Sequence, residues 1–260
     1  MVNPIIPSEA LRHGVDQTII GLLFFVFSLA SLLTSLFLGQ IQSILGKRNV
    51  VLVAFAMKVI NYIGFIMIAH VESKAIFIMF FALLHITQGI SGSAYRTAVY
   101  SSLTMMYPEN INYVISLFET SAGLGFSFGP AIGSMLFAYG GYQLPFMAFL
   151  VVLVLATLMV NVFIPAHLNH SEIGDVSQVE MSYLTVLKNK RILFACIIYG
   201  MNAVTYDFLN PILSGAMNTY YGLTENSVGW MFCLMGMGYV ISCQMTNFSL
   251  EYVSTRRLVT

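Results

Sequence analysis

Apolar residues in this chain do not alternate with polar ones. They run in blocks separated by short polar segments, and a block of about 20 apolar residues is the length a helix needs to cross a bilayer. Seven such blocks occur, at about residues 19–38, 50–69, 75–100, 113–138, 143–164, 191–217 and 228–248. Residues 1–17, with Pro4, Pro7, Glu9, Arg12, His13 and Asp16, are too polar and broken to span and are expected to form a loop. Asp16 or Thr18 is placed to cap the first span, and Gly39 to end it. Residues 39–48 then read as a tight turn. Residues 165–189 form the one polar stretch longer than a hairpin turn. It divides the chain into a first bundle (1–164), a central loop (165–190) and the start of a second bundle (191–260).

Composition turns this pattern into a class. Of 260 residues, 58% are hydrophobic and 8% charged, whereas about a quarter are charged in a soluble domain. The chain is therefore expected to be an all-α polytopic membrane protein with the lipid bilayer as its first partner. Seven of the 11 basic residues, Lys47, Arg48, Lys188, Lys190, Arg191, Arg256 and Arg257, fall on one side of the predicted topology. Arg12 and Lys74 fall on the other, which places the N-terminus outside. Such scattered cations exclude a nucleic-acid surface. Cys196, Cys233 and Cys243 lie in apolar blocks without metal or redox spacing and read as small buried hydrophobes. No nucleophile with its base, phosphate loop, metal cluster or cofactor motif is present, so the sequence predicts neither an enzyme nor a bound cofactor.

The fourth block carries small residues at Ser121, Gly125, Gly129 and Gly133, each four apart. On a helix that spacing makes a flat stripe suited to close backbone approach in lipid. Pro130 lies within it and is expected to bend the helix. Glu119 sits about 100° around from the middle of the stripe, so its carboxylate is expected to point away from the packing contact. Lys58, Arg96 and Asp207 are the other ionisable residues inside spans that carry a full charge, two cations against two acids. Either they neutralise one another as static pairs or they serve function, because a charge at membrane depth costs roughly 3 kcal/mol or more.

Residues 39–48 resemble the loop after the second helix of the major facilitator superfamily, matching at Gly39, Gly46, Lys47 and Arg48. Ser43 and Ile44 stand where that family has an acid and a base. His85-Ile-Thr-Gln-Gly89 is similar to the family's fourth-helix R-x-x-Q-G, with histidine in the arginine position, and residues 123–133 are similar to the antiporter motif of its fifth helix. Pro7-Ser-Glu-Ala10, Gly14, Thr18-Ile-Ile-Gly21, Phe118-Glu119 and Phe208-Leu-Asn-Pro211 resemble the vesicular amine and polyamine branch, a group of drug:proton antiporters. The resemblance implies a major facilitator-type helical bundle, with this chain covering helices two to eight of twelve.

It also implies a carrier of a small organic cation, coupled to protons and rocking two bundles about a site near the midplane. Glu119 is then the proton-coupling acid, with Arg96 as a nearby cation. His85 is either a proton relay or a hydrogen-bonded core histidine. His85, Gln88, Gly92 and Arg96 share a helix face expected to line a polar cavity. Asn202, Tyr206 and Asn210 recur every four residues with Asp207 beside them. They either hold the cationic substrate, with cation–π help from tyrosine, or hydrogen-bond between helices. The alternative function is a truncated or repurposed membrane protein that does not transport, since two helices of a second bundle cannot seal a pathway.

Overall fold

The computed structural model describes residues 5–164 and 188–252, so the central loop and Arg256 and Arg257 lie outside the described residues. Eight helices make up this part of the chain: α1 (Ile5–Arg12), α2 (Gln17–Leu45), α3 (Lys47–Ile68), α4 (Lys74–Met106), α5 (Ile111–Gly140), α6 (Gln143–Phe163), α7 (Lys190–Tyr221) and α8 (Glu225–Tyr252). Among the described residues, six helices, α2 to α6 and α8, are long and apolar enough to cross a membrane. The fold is an all-α, multi-pass bundle. The sixth predicted span, 191–217, is one continuous helix of 32 residues, α7, or about 48 Å at 1.5 Å per residue.

Two expectations are corrected. The first is the loop at 1–17, where residues 5–12 form a helix. Ile5, Ile6 and Ala10 share one face and are almost wholly buried, while Pro7 falls in the first turn, where its missing N–H is not needed. Glu9, itself buried, pairs with Arg12 Nη1 at 3.2 Å and lies 3.6 Å from His13 Nε2. Gly14, at φ +69°, then reverses the chain. Asp16 caps α2 by accepting from the Thr18 N–H at 3.1 Å. Hydrogen bonding from Thr18, side chain first and backbone second, holds its carboxyl below the ordinary value. This cap is intact at neutral pH and is lost as pH falls through the lowered value.

The second correction is the turn at 39–48. α2 runs through Gly39 to Leu45, and the break is confined to Gly46, whose φ of +82° only glycine adopts easily. Gln40, Gln42 and Ser43 are the polar end of a helix that outruns the hydrocarbon, and polarity alone does not separate that from a turn. The two basic residues that follow clamp neighbouring helix ends. Arg48 Nε donates to the Ile164 carbonyl at 3.0 Å, and Nη2 donates to the Asn161 carbonyl and Oδ1 at 2.9 and 3.0 Å. Lys47 Nζ reaches the Ser101 carbonyl of α4 at 3.4 Å. Cations are favourable where carbonyls at a helix C-terminus lack partners.

α4 is the centre of the first bundle, packed against both α2 and α3, and α3 packs on α6. One apolar cluster joins α1 to α4 through Ile5, Ile6, Ile20, Phe65, Phe77, Phe81 and Phe146; a second, around Leu38, Val51, Ala54, Ala94 and Ala98, closes the other end. The outward faces of α2 and α6, with Leu22, Phe25, Leu32, Val151, Leu155 and Met159, stay exposed, as lipid-facing surfaces do.

α4 reaches α2 at Gly89, where an added Cβ would run into the Phe27 carbonyl and lie 3.1 Å from Ala30 Cβ and Ser31 N. Gly92, one turn on, has nothing within 4 Å of that position. Gly89→Ala is therefore expected to lower stability by roughly 1–3 kcal/mol, whereas Gly92→Ala leaves it unchanged or raised by up to about 1 kcal/mol through helix propensity. Thermal unfolding in detergent measures both; equal melting temperatures would contradict the α2/α4 contact.

Candidate functional site

The most extensive contact between any two helices is that of α5 with α8, which joins the two halves of the chain. In lipid there is no hydrophobic drive to bring helices together, so association depends on close packing and interhelical hydrogen bonds. Both are present here. A Cβ on Gly123 would lie 2.7 Å from Val240 Cγ2 and 2.8 Å from Tyr239 Cδ1. One on Gly236 would lie 2.7 Å from the Ser127 Cα and N, and one on Gly229 would lie 2.9 Å from the Pro130 carbonyl. The facing pairs 123/240, 127/236 and 134/229 move by equal steps in opposite directions, the alternating three-and-four spacing of two antiparallel helices meeting along one face. Gly123, Ser127, Pro130, Ala131 and Ser134 are buried in α5, as are Gly229, Cys233 and Gly236 in α8.

The row of α5 that meets α8 lies beside the stripe predicted at Ser121, Gly125, Gly129 and Gly133. Gly129, Pro130 and Gly133 are buried, Gly125 is half-buried and Ser121 is exposed, and the close approach to α8 is made by the neighbouring row. The prediction for Glu119 changes with it. Its carboxylate does not point away from the contact but bridges it, Oε2 accepting a hydrogen bond from the Tyr239 hydroxyl of α8. Polar bonds flank this one: Gln244 Nε2 donates to Thr120 Oγ1 at 2.6 Å, and Ser116 Oγ donates to the Cys243 carbonyl at 3.4 Å.

Among the described residues, neither Lys58 nor Arg96 forms an ion pair with Glu119. Lys58 lies over the Tyr95 ring, 4.1 Å from its centroid, and 5.6 Å from that of Phe55. Arg96 Nη1 reaches the Tyr199 hydroxyl of α7 at 3.5 Å. Among the described residues the ion pairs are those of Glu9 with Arg12 and His13; the side chain of Asp207, the second acid set against Lys58 and Arg96, lies outside the described residues. His85 is 2% exposed, walled by Phe24, Phe27, Phe65 and Phe81, and its Nδ1 donates to the Phe81 carbonyl at 3.2 Å. The face it shares with Gln88, Gly92 and Arg96 does not line one polar cavity: its His85 end is packed aromatic core. Asn202, Tyr206, Asp207 and Asn210 fall in α7, but their side chains lie outside the described residues. Cys196 is exposed rather than buried, and Cys243 is half-buried. Among the described residues no group of three or more His, Cys, Asp or Glu side chains is placed to hold a metal ion.

Helix number, the glycine-dependent α5/α8 contact and the basic pair after α2 all agree with the resemblance in the sequence. A profile of the Major Facilitator Superfamily matches residues 1–206. The chain belongs to this superfamily. The mouse protein named MFS-type transporter SLC18B1 is 28% identical over 258 residues, 99% of this chain and 55% of its own length. The human protein of that name is 28% identical over 242 residues, 93% of this chain and 52% of its own length. The chain thus spans about half the length of the curated relatives it matches. Within the superfamily's loop motif, Lys47 and Arg48 hold the ends of α4 and α6 by their carbonyls, which needs neither the acid nor the base replaced by Ser43 and Ile44.

Tyr239, Ser127, Gly229 and Gly236 were not singled out from the sequence. Gly229 and Gly236 had a signal in their spacing with Cys233 on α8; Tyr239 had none.

Gly236→Ala is expected to lower stability by roughly 1–3 kcal/mol because its Cβ meets the Ser127 backbone. Gly238→Ala, with nothing within 4 Å, is expected to melt at or above the temperature of the unmodified protein. Melting curves in detergent that put Gly238→Ala at or below Gly236→Ala would contradict the seam.

Proposed function

We propose that the protein is a transmembrane carrier that moves a small organic cation, an amine or polyamine, in exchange for protons. The observation that carries this reading is the carboxylate of Glu119, half-buried within a spanning helix and bonded across the contact between the two halves of the chain. Membership of the superfamily and the name MFS-type transporter borne by the relatives support transport. Ionisable groups inside membranes that face a helix interface are proton-relay or substrate groups by default. Glu119 accepts the coupling proton, and the rest of the α5/α8 contact carries the resulting change between the bundles.

The cationic cargo follows from the same chemistry. Lys58 on the Tyr95 ring shows that an aromatic face in this bundle accommodates an ammonium. In the proposed site, Asp207 supplies the counter-charge, Tyr206 a ring, and Asn202 and Asn210 hydrogen bonds. His85, enclosed by aromatic rings, takes a packing role in this account rather than that of a relay.

The test is uptake of a labelled amine into reconstituted vesicles under an imposed pH gradient, using a protein of the relatives' full length that contains this chain. Glu119→Gln is expected to abolish gradient-driven accumulation while leaving expression and melting nearly unchanged, since the amide keeps the shape and loses the titration. Accumulation by the Glu119→Gln protein would remove proton exchange. Absence of uptake by the unmodified protein would favour the non-transporting alternative.

A further inference from the structure

We infer that Tyr239 is the positioning residue through which the charge on Glu119 controls one end of the α5/α8 seam; the inference deepens the proton-exchange reading and rests on it. The geometry depends on Gly123. Because that residue has no side chain, the Tyr239 ring lies against the α5 backbone there, with Cδ1 2.8 Å from where a Cβ would stand. One turn back along α5 is Glu119, and the ring delivers its hydroxyl to that carboxylate. A side chain at 123 would displace the ring and break the bond at a distance.

The seam has two unlike halves. From Ser127 to Ser134 it is held by backbone approach to Gly236 and Gly229, with no acidic or basic residue in the facing rows. From Ser116 to Gly123 it is held by side-chain hydrogen bonds, and the bond of Tyr239 to Glu119 is the one among them that involves a carboxylate. A hydrogen bond to an ionised acceptor is about twice as strong as one between neutral groups. Protonating Glu119 therefore weakens this half and leaves the glycine-packed half untouched, so the helices part at the Ser116 end and pivot at the Gly229 end.

The titratable groups around Glu119 among the described residues allow this assignment. On α8 they are Tyr239 and Cys243. α4 presents Tyr95 and Tyr100 against the neighbouring Phe118, and its Arg96 is bonded to Tyr199 of α7. Tyr239 is the group that donates to the carboxylate, and its hydroxyl stays protonated throughout the range in which a carboxyl titrates.

Spin labels at Tyr113→Cys and Phe248→Cys, both exposed positions near the Ser116 end, read the separation of the two helices by pulsed dipolar resonance. The 260-residue chain is used in lipid nanodiscs, with Cys196, Cys233 and Cys243 replaced by alanine. On going from about pH 8 to about pH 4, the ratio of long to short separations in the otherwise unmodified chain is expected to rise by roughly threefold to tenfold. Glu119→Gln and Tyr239→Phe, each keeping its packing shape, are expected to show the raised ratio at both pH values. The double variant is expected to match either single one, because each removes the same charge-assisted bond.

A Tyr239→Phe protein that keeps the full pH response would overturn the inference, as would an unmodified chain whose separations ignore pH. The measurement reads conformation without cargo. Failure of the uptake assay with an intact pH response removes the transport reading alone, and an intact uptake assay with a Tyr239→Phe protein that still responds removes the role of Tyr239 alone.

Discussion

The distance at which α5 and α8 can meet constrains everything else in this bundle. Hydrocarbon does not press helices together as water does, so a lasting contact between the two halves needs either bare backbone or satisfied polar groups along the shared face. This seam uses both in sequence, glycine against serine at 236/127 and 229/134, then hydrogen bonds at 120/244 and 119/239. A methyl group on the wrong residue separates the backbones, and a missing acceptor leaves a hydroxyl unpaired in an apolar setting. The orientation of Glu119 is a consequence of this register rather than an independent feature.

Intramembrane charge is handled one residue at a time. Lys58 rests on Tyr95, Arg96 reaches Tyr199 and Glu119 accepts from Tyr239. In each case an aromatic residue is the neighbour. A tyrosine supplies a ring face to an ammonium and a hydroxyl to a carboxylate or guanidinium without adding a second full charge to desolvate. Among the described residues no cation is paired with Glu119.

The spans were legible in the sequence because block length and scarcity of charge are set by bilayer thickness, a constraint independent of tertiary packing. What the sequence obscured were ends and faces. Residues 5–12 read as a loop because Pro7, Glu9 and Arg12 mask the one buried face of Ile5, Ile6 and Ala10, and residues 39–45 read as a turn because a helix leaving the lipid becomes polar. The evenly spaced glycines at 125, 129 and 133 gave no sign that α8 takes the adjoining row of Gly123 and Ser127. Spacing on one helix shows where a partner fits, but the partner's own gaps at Gly229 and Gly236 select the row it takes. His85 shows the same limit: its helix position allows a polar cavity, and only its neighbours, four phenylalanines, mark its own end of that face as aromatic core.

The row that meets α8 is the claim on which the account turns, and native Cys243 offers a direct probe of it. With Cys196 and Cys233 replaced by alanine, a cysteine is placed either at Ser116, whose hydroxyl reaches the Cys243 carbonyl at 3.4 Å, or at Ser121, which is exposed on the glycine stripe. A short thiol cross-linker applied in membranes is expected to join Ser116→Cys to Cys243 and to leave Ser121→Cys unjoined. Cross-linking from Ser121→Cys at the same yield, or none from Ser116→Cys, would place α8 on the other row and contradict the account.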